Sequence, residues 1–328
     1  NCFISIIFTY REVNNMRKSK KSTPQYMVTQ LCTDTAVLDY FRSLNSINSQ
    51  KSMSYYIKSF VKTALDCCSN FTSWEKLTDT VINIVIGKML EEQQSPSTIN
   101  TKLCAIKGVA KRLWVQERLD PKTYQLISEV KNVRGSRIAH GRMLSESEIQ
   151  KLFQFLGKQD SFKKVRDAAI FSVMIGTGLR RAEVSKLSMD GVFLDVEKPY
   201  LRVIGKGNKE RQVPLPKFAI KRLKDWIECR GNFKGRIFVQ IRKDETVTEQ
   251  GLTGCSIYNI CNEYVEALGM KHWSPHDLRR TCASKLIDMG FALTSVRDYL
   301  GHSSISTTQL YDKSSSNRLN EIADKIKL

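Results

Sequence analysis

One short stretch of this chain has the pattern of paired β-strands, and nearly everything else repeats with the period of an α-helix. Residues 200–204 and 212–215 suit strands, and the glycine-containing turn GKGNKER separates them, which predicts a hairpin. Helical patterns fill most of the remainder. They cover residues 52–69, 79–90, 95–113, 145–187, 216–229, 252–267, 276–289, 293–300 and 315–326. The sequence therefore predicts a mainly α fold with a small β-sheet, in the α+β class.

Helix-start signals mark two helices of the first half and the start of the second domain. Ser95 followed by Pro96, like Asp120 followed by Pro121, combines an N-cap residue with proline at the first helical position. Farther along, the serine and glutamate of residues 145–148 form a capping box ahead of a new apolar run. A second domain is therefore expected to start close to this point.

The chain has 328 residues, enough for two domains of roughly 100 to 200 residues each. We predict a basic N-terminal arm at residues 1–30, which can be disordered, and a helical domain at residues 31–130. Residues 131–142 read KNVRGSRIAHGR, with two glycines, four basic residues and no acid, and are predicted to be a linker. The second domain is predicted to cover residues 143–328.

Basic residues outnumber acidic ones throughout the chain, and the formal net charge is +19 at pH 7. Residues 1–142 carry 21 basic and 11 acidic residues, and residues 143–328 carry 31 and 22. The excess is therefore not confined to a tail, and nucleic acid is the usual partner of such a basic protein. On charge alone, a highly soluble basic surface without a partner is an equally good explanation.

The cysteines and the N-terminal apolar stretch exclude several classes of protein. The nine cysteines are scattered, form no CxxC pair and have no zinc-ligand spacing with the four histidines. This pattern predicts reduced thiols in the cytoplasm and no metal site. Residues 2–10 are too short to span a bilayer and lack a preceding positive region. We therefore predict no membrane partner.

Several side chains with phosphate-binding chemistry occur in conspicuous places. His276 and Arg279 stand three residues apart after a Ser-Pro helix start, where both can lie on one face near the positive end of a helix. Arg180 follows a Gly-Leu turn, and His302 precedes Tyr311 by nine residues. Each residue alone has an ordinary explanation, such as a surface arginine or a histidine near a cap. Together with the lysines of the hairpin they suit phosphate chemistry without a metal.

Four segments, in chain order, resemble the signature boxes of the tyrosine recombinases, also called phage-type integrases. They are TGLRRAEVSKL, VIGKGNKERQVPLP, SPHDLRRTCASKLIDMG and LGHSSISTTQLYDK. The resemblance covers residues 143–328 well, and the preceding helical domain more loosely resembles the core-binding domain of that family. Four ordered boxes at compatible spacing are far more specific than any one of them.

The resemblance implies a role for each matched residue. Arg180 and Arg279 would clamp the scissile phosphate, Tyr311 would be the nucleophile, and Glu183 would orient Arg180. The implied catalytic set is Arg180, Lys206, His276, Arg279, His302 and Tyr311. Neither a metal nor another cofactor is implied. Tyr299, which precedes the last box, fits a core role better than that of nucleophile.

Basic residues outside the implied catalytic set are predicted to contact DNA. Lys102, Lys107, Lys111 and Arg112 form a basic stripe opposite the apolar residues of their helix. For this helix a merely solvated face is a comparable explanation. The other predicted contacts are Arg134, Arg137 and Arg142 in the linker and Lys209 in the hairpin. We expect the two domains to close around duplex DNA, with the linker crossing its backbone.

The predicted function is that of a site-specific recombinase that cleaves and rejoins DNA through a 3′-phosphotyrosine intermediate, for integration or excision of a mobile element. The resemblance further implies a homotetramer on two double-stranded DNA sites, helped by accessory DNA-bending or excision factors, in the cytoplasm at the nucleoid. One alternative is relaxation of DNA by a type IB topoisomerase-like enzyme, which uses related chemistry. Another is an architectural DNA-binding protein without activity. Trapping of a covalent DNA complex separates the enzymes from the architectural protein.

Overall fold

The computed structural model describes residues 23–135, 141–157, 160–205, 209–302 and 304–309. The chain divides into two units, residues 1–139 and 140–328, and each has an apolar core of its own. Helices dominate both units, and the strands of the described residues form two small antiparallel sheets. The predicted α+β class is therefore confirmed.

The described part of the first unit is a set of packed helices. They are α1 Thr23–Cys32, α2 Thr35–Arg42, α3 Ile47–Cys67, α4 Asp79–Glu91, α5 Pro96–Val115 and α6 Pro121–Glu129. Helix α1 begins inside the stretch predicted to be a disordered arm, because Val28 and Leu31 are apolar enough to pack into the core. The predicted arm of residues 1–30 therefore extends too far, and residues 1–22 lie outside the described ranges.

Side-chain caps start two of the predicted helices of this unit. The backbone N–H of Thr98 donates to Ser95 Oγ at 3.2 Å, and that of Thr123 donates to Asp120 Oδ1 at 3.0 Å. Proline is the next residue in both cases, which removes one donor that would lack a partner in the first turn. Both predicted helix starts are confirmed.

The second unit contains helices and short strands. Its helices are α7 Glu146–Leu156, α8 Phe162–Thr177, α9 Arg181–Val184, α10 Lys217–Arg230, α11 Gly254–Ala267, α12 Pro275–Asp288, α13 Leu293–Leu300 and α14 Ile305–Gln309. Its strands are β1 Val192–Phe193, β2 Tyr200–Ile204, β3 Glu210–Pro214, β4 Val239–Ile241 and β5 Val247–Gly251. The capping box predicted at Ser145 and Glu148 starts α7.

The predicted hairpin is confirmed as β2 and β3, which pair antiparallel with Val203 opposite Arg211. The two-residue strand β1 adds to its edge, and β4 pairs with β5 in a separate ribbon. Sequence analysis predicted none of these three strands. They span two to five residues, and such short segments carry too few alternations to show a period of two.

Helix α8 forms the centre of the second core, and it packs against α10 and α12. Phe171 on α8 makes edge-to-face contacts with Tyr264 and Trp273. Asp167 on the same helix is fully buried, bonded to Arg166 and to the hydroxyl of Tyr264 at 3.2 Å. A helix buried on all sides can fix the position of the loop that follows it.

Among the described residues, no helix combines the length and the apolarity that crossing a membrane requires.

Candidate active site

Arg180 stands where α8 ends and α9 begins. Gly178 closes α8 in the left-handed conformation, with φ 62°, which glycine adopts without a Cβ penalty. The reversal makes Arg180 the N-cap of α9. Its backbone N donates to Glu183 Oε2 at 2.9 Å, and its Nη1 donates to Glu183 Oε1 at 3.1 Å. The contact through which Glu183 would orient Arg180 is therefore present.

The SPHDLRR segment begins α12 as predicted. Ser274 is the N-cap, its backbone N donates to Asp277 Oδ2 at 2.8 Å, and Pro275 is the first helical residue. His276 and Arg279 follow in the first turn, three residues apart, and this spacing puts them on one face of the helix.

Two consecutive carbonyls at the end of α13 hold both arginines of the site. Arg279 Nη2 donates to Leu300 O at 2.9 Å, and Arg180 Nη2 donates to Gly301 O at 3.3 Å. Arg279 Nη1 also donates to the carbonyl of Gly178. The side chain of Arg180 is 38% exposed, whereas Arg279 is 2% exposed. Arg279 is thus fixed at the base of the site, and Arg180 reaches toward solvent beside it.

His302 follows Gly301 directly, and the structure buries it. Its Nδ1 lies 2.8 Å from Thr308 Oγ1 on α14. Burial, together with the positive charges of Arg279 and Arg180, lowers the pKa of His302 to about 4. A histidine usually titrates near 6.5, so His302 is neutral at pH 7 and can accept a proton.

His276 lies among three guanidinium groups. Partial burial of its ring, together with the charges of Arg280 and Arg279, lowers its pKa below the usual value. The charge of Arg180 acts in the same direction. The shift favours the neutral form of the His276 ring, as burial and the arginines do for His302.

A cavity of about 350 Å³ opens beside Arg180, His276 and Arg279. It is lined by Arg180, Arg181, Ala182, Tyr258, Ser274, Pro275, His276 and Arg279. Arg181 lies over the ring of Tyr258, with 5.8 Å between its Cζ and the ring centroid. Three arginines converge here at the start of α12, and this concentration of positive charge suits an anion with several oxygens.

Within the described ranges, no group of three or more His, Cys, Asp or Glu side chains has an arrangement that could hold a metal ion.

A model of the phage integrase family matches residues 142–318, more than half of the chain. The chain belongs to the phage integrase family. It is 31% identical over 246 residues to the tyrosine recombinase XerC of Corynebacterium efficiens, which covers 72% of this chain and 73% of that protein. It is 29% identical over 245 residues to XerC of Corynebacterium glutamicum, covering 73% and 75%.

The fold matches a solved structure of XerH site-specific recombinase bound to palindromic difH substrate, a post-cleavage complex. The TM-score is 0.63 at 19% identity, with coverage of 92% of this chain and 93% of that one. The predicted family is thus confirmed, and the integrase is a tyrosine-type site-specific DNA recombinase.

The structure brings four of the six predicted catalytic residues of this integrase together, namely Arg180, His276, Arg279 and His302. Lys206 and Tyr311 lie outside the described residues. Tyr299 has a structural role, since its hydroxyl donates to Gly176 O at 2.8 Å and contacts Pro214 O at 3.1 Å.

The basic stripe predicted on α5 is only partly correct. Lys102 is 4% exposed, and its ammonium donates to Ser59 Oγ and Gln94 Oε1, both at 2.8 Å. Lys102 is therefore unable to reach a phosphate, and its prediction as a DNA contact is wrong. At 100° per residue, Lys102 falls on the same face as Ile99 and Ile106, so the helical spacing itself carried the signal that was missed.

The other predicted DNA contacts have different surroundings. Lys107 donates to Ser128 O at 2.8 Å and to Val130 O at 2.6 Å. Lys111 and Arg134 are exposed, and Arg112 is half-buried. These four remain predicted DNA contacts, as does Lys209, which is exposed beside the hairpin turn. Arg137 lies outside the described residues.

Arg142 anchors the start of the second unit instead of lying free in a linker. Its guanidinium pairs with Glu148 at 2.8 Å and donates to the carbonyls of Lys271 and His272. Its backbone N donates to Asp277 Oδ1 at 2.8 Å. The predicted phosphate contact of Arg142 is therefore corrected, because its donors are already engaged within the protein.

Arg211, which was not among the predicted site residues, shares Glu183 with Arg180. Arg211 Nη1 and Nη2 each donate to one oxygen of Glu183 at 3.1 Å. Hydrogen bonds from Arg211 and Arg180 outweigh the burial of Glu183 and hold its pKa below the usual value. The available signal was strand alternation: Arg211 stands two residues before apolar Val213, so its side chain shares the buried face of the hairpin with Val213 and Val203.

Proposed function

We propose that this recombinase cleaves DNA by attack of the Tyr311 hydroxyl on a phosphodiester, which forms a 3′-phosphotyrosine and releases a 5′ hydroxyl. The observation that supports this most strongly is the pair of adjacent carbonyls at Leu300 and Gly301. They hold Arg279 and Arg180 beside His302, under an open, positively charged cavity. A later attack by a 5′ hydroxyl would reverse the step. No ATP is needed, because the phosphotyrosine conserves the free energy of the broken phosphodiester bond.

Arg180 and Arg279 would stabilise the transition state. The attacked phosphorus gains negative charge on its nonbridging oxygens, and a forked guanidinium can donate to two of them at once. Removing one preorganised donor of this kind typically costs about 10²–10³ in rate. The carbonyls that hold Arg279 fix its guanidinium before the substrate arrives, so little reorganisation is needed.

His302 would assist the nucleophile. A tyrosine hydroxyl has a pKa near 10, so it needs help to lose its proton at pH 7. The neutral ring of His302 can accept that proton, and the arginines stabilise the resulting negative charge. Lys206, which the sequence predicts in the hairpin turn, would protonate the leaving 5′ oxygen as general acid.

Two reactions use this chemistry on a chromosome. The sequence prediction is integration or excision of a mobile element, whereas the similarity to XerC recombinases favours resolution of chromosome dimers. In both, two copies of a short DNA site exchange strands. The DNA that flanks the gene distinguishes them: an adjacent attachment repeat is expected for a mobile element and not for dimer resolution.

We further propose that four copies assemble on two DNA sites. Residues 315–328 have apolar positions at Leu319, Ile322, Ala323 and Ile326, spaced to form one helical face. The second unit offers a mainly apolar cavity of about 490 Å³ among Phe153, Phe218, Leu286 and Tyr299. We place this segment of one copy in that cavity of its neighbour. A chain ending at residue 314 should then bind DNA but fail to assemble as a tetramer, measured by mass photometry.

A nicked suicide duplex tests the proposed chemistry. The strand is nicked close to the cleavage site, so that the short fragment released by cleavage diffuses away and the covalent complex accumulates. The probe is a pool of nicked duplexes with a randomised centre, from which the protein selects its own target sequence, and the covalent complexes are recovered after denaturation. The wild type should yield covalent complexes and Tyr311→Phe none. DNA binding without any covalent product from the wild type would refute the proposal and favour an architectural protein.

A further inference from the structure

Arg211 joins three parts of the second unit through one guanidinium group. It lies on β3, pairs with Glu183 on α9 through both terminal nitrogens, and packs against Gly301 at the end of α13. The side chain of Arg211 is 20% exposed and that of Glu183 is 6% exposed, so solvent screens this pair little. A bidentate contact of this kind fixes direction as well as distance.

The Glu183 carboxylate is divided between two arginines. Its Oε1 accepts hydrogen bonds from Arg180 Nη1 and Arg211 Nη1, both at 3.1 Å. Its Oε2 accepts from the Arg180 backbone N at 2.9 Å and from Arg211 Nη2 at 3.1 Å. Without Arg211, one buried negative charge would face Arg180 alone. Arg180 would then be drawn into a closed ion pair with Glu183, and its charge would no longer be available to bind a substrate phosphate.

Two glycines make room for the guanidinium. A Cβ at Gly301 would lie 2.7 Å from Arg211 Cζ, and a Cβ at Gly205 would lie 2.8 Å from Arg211 Nη1. Gly301 also carries the carbonyl that holds Arg180, and it directly precedes His302. The Arg211 side chain is therefore packed against the backbone that positions two residues of the active site.

Stability alone does not account for this placement. Arg211 Nε is buried without a hydrogen-bond partner among the described residues, and leaving such a donor unsatisfied is unfavourable. Apolar side chains in place of both Arg211 and Glu183 would avoid that cost. A charged fork at this position is better explained by what it does to Glu183 and Arg180.

We propose that Arg211 is a positioning residue of this recombinase: it neutralises and fixes Glu183 so that the Arg180 guanidinium stays directed at the scissile phosphate. The proposal rests on the proposed function, in which Arg180 binds that phosphate. Arg211 contacts no substrate in this account and acts only through Glu183 and the Gly301 turn.

The test measures covalent complex formation on the nicked duplexes that the wild type selects. Arg211→Gln should lower the cleavage rate constant about 10- to 100-fold, the loss typical when a group that orients a site residue is removed. DNA affinity should change little, because Arg211 is not a phosphate contact. Arg202→Gln is the matched control, since it removes one positive charge from the neighbouring strand, where Arg202 pairs with exposed Asp190. Its rate should stay close to that of the wild type.

The pH profile separates positioning from a general loss of structure. The charge of Arg211 is one of those that lower the pKa of His302, along with Arg279, Arg180 and His276. Arg211→Gln should therefore move the acid limb of cleavage to higher pH. Arg211→Lys keeps the charge without the fork, so the limb should stay in place while the rate remains reduced. If Arg211→Gln fails to fold, as judged by circular dichroism, Arg211→Lys still decides the question.

A double variant measures the energetic coupling between Glu183 and Arg211. Glu183→Gln combined with Arg211→Gln should be no slower than Arg211→Gln alone, because the charge that Arg211 neutralises is gone. The inference would be overturned, while the proposed function stands, by either of two results. One is an equal cleavage rate for Arg211→Gln and Arg202→Gln. The other is an equal cleavage rate for Arg211→Lys and the wild type. A wild type that binds DNA but traps none would refute the proposed function and the inference with it.

Discussion

Replacing Gly178 by alanine tests how the end of α8 sets the active site. The residue has φ 62°, and a Cβ there would lie 2.3 Å from Leu300 Cδ2 and 3.3 Å from Cys282 Sγ. Leu300 is fully buried, so it has little room to move aside. The left-handed backbone costs about 1–2 kcal/mol for alanine, and overpacking a closed core costs about 1–3 kcal/mol. Gly178→Ala should therefore lower the free energy of unfolding by about 2–5 kcal/mol.

Gly269 provides the matched control for this variant. It has φ +55°, but a Cβ there would meet no atom of the described residues within 4 Å, so Gly269→Ala should show the backbone cost of about 1–2 kcal/mol alone. Urea unfolding of the full chain, followed by tryptophan fluorescence, measures both variants through buried Trp226 and Trp273. Equal destabilisation of the two variants would refute the reasoning that Leu300 closes the space around Gly178. Because the Gly178 carbonyl accepts from Arg279, Gly178→Ala should also slow cleavage more than Gly269→Ala does.

Two further outcomes follow from the surroundings of single residues. Lys102→Met should leave the salt dependence of DNA binding unchanged, because Lys102 is buried. Lys111→Met should reduce the slope of log binding constant against log salt concentration by about 0.9, the contribution of one phosphate contact. Both slopes are measured by fluorescence anisotropy titrations, and equal slopes for the two variants would contradict this difference. Cleavage that needs neutral His302 should stay constant as pH falls through 6.5 and decline only toward the pKa of about 4, while circular dichroism confirms that the chain remains folded. A decline centred on 6.5 would show that burial and the neighbouring arginines do not depress the pKa of His302.

Local signals explain why so much of the fold was predictable. A cap depends on two or three neighbouring residues, so Ser95, Asp120 and Ser145 each predicted a helix start that the structure confirms. The same holds for the Ser-Pro start that places His276 and Arg279 in the first turn of α12. The four described site residues come together because the end of α8, the start of α12 and the end of α13 lie close to one another.

The errors concern properties that depend on distant parts of the chain. Lys102 is buried because Ser59 and Gln94 meet its ammonium, and neither contact follows from composition. Arg142 is engaged by carbonyls near residue 271 that come close only after folding. A basic side chain looks alike in a sequence whether it faces solvent, a carbonyl or a phosphate.

Arg211 is a site residue that the sequence did not indicate, for the same physical reason. The family boxes implied a role for Glu183 toward Arg180, and that contact is present. They gave no reason to assign the second arginine on Glu183, because Arg211 lies on β3 and its partners lie on α9 and at the end of α13. Only the packed structure shows that β3, α9 and the end of α13 meet at one guanidinium.

The most direct test of the account identifies the atom that carries the DNA. The covalent complex is trapped on the nicked duplexes, digested with trypsin and nuclease, and analysed by mass spectrometry. We expect a nucleotide attached through its 3′ phosphate to the Tyr311 peptide, and a free 5′ hydroxyl on the other fragment. Attachment at Tyr299 or at any other residue, or through a 5′ phosphate, would contradict it.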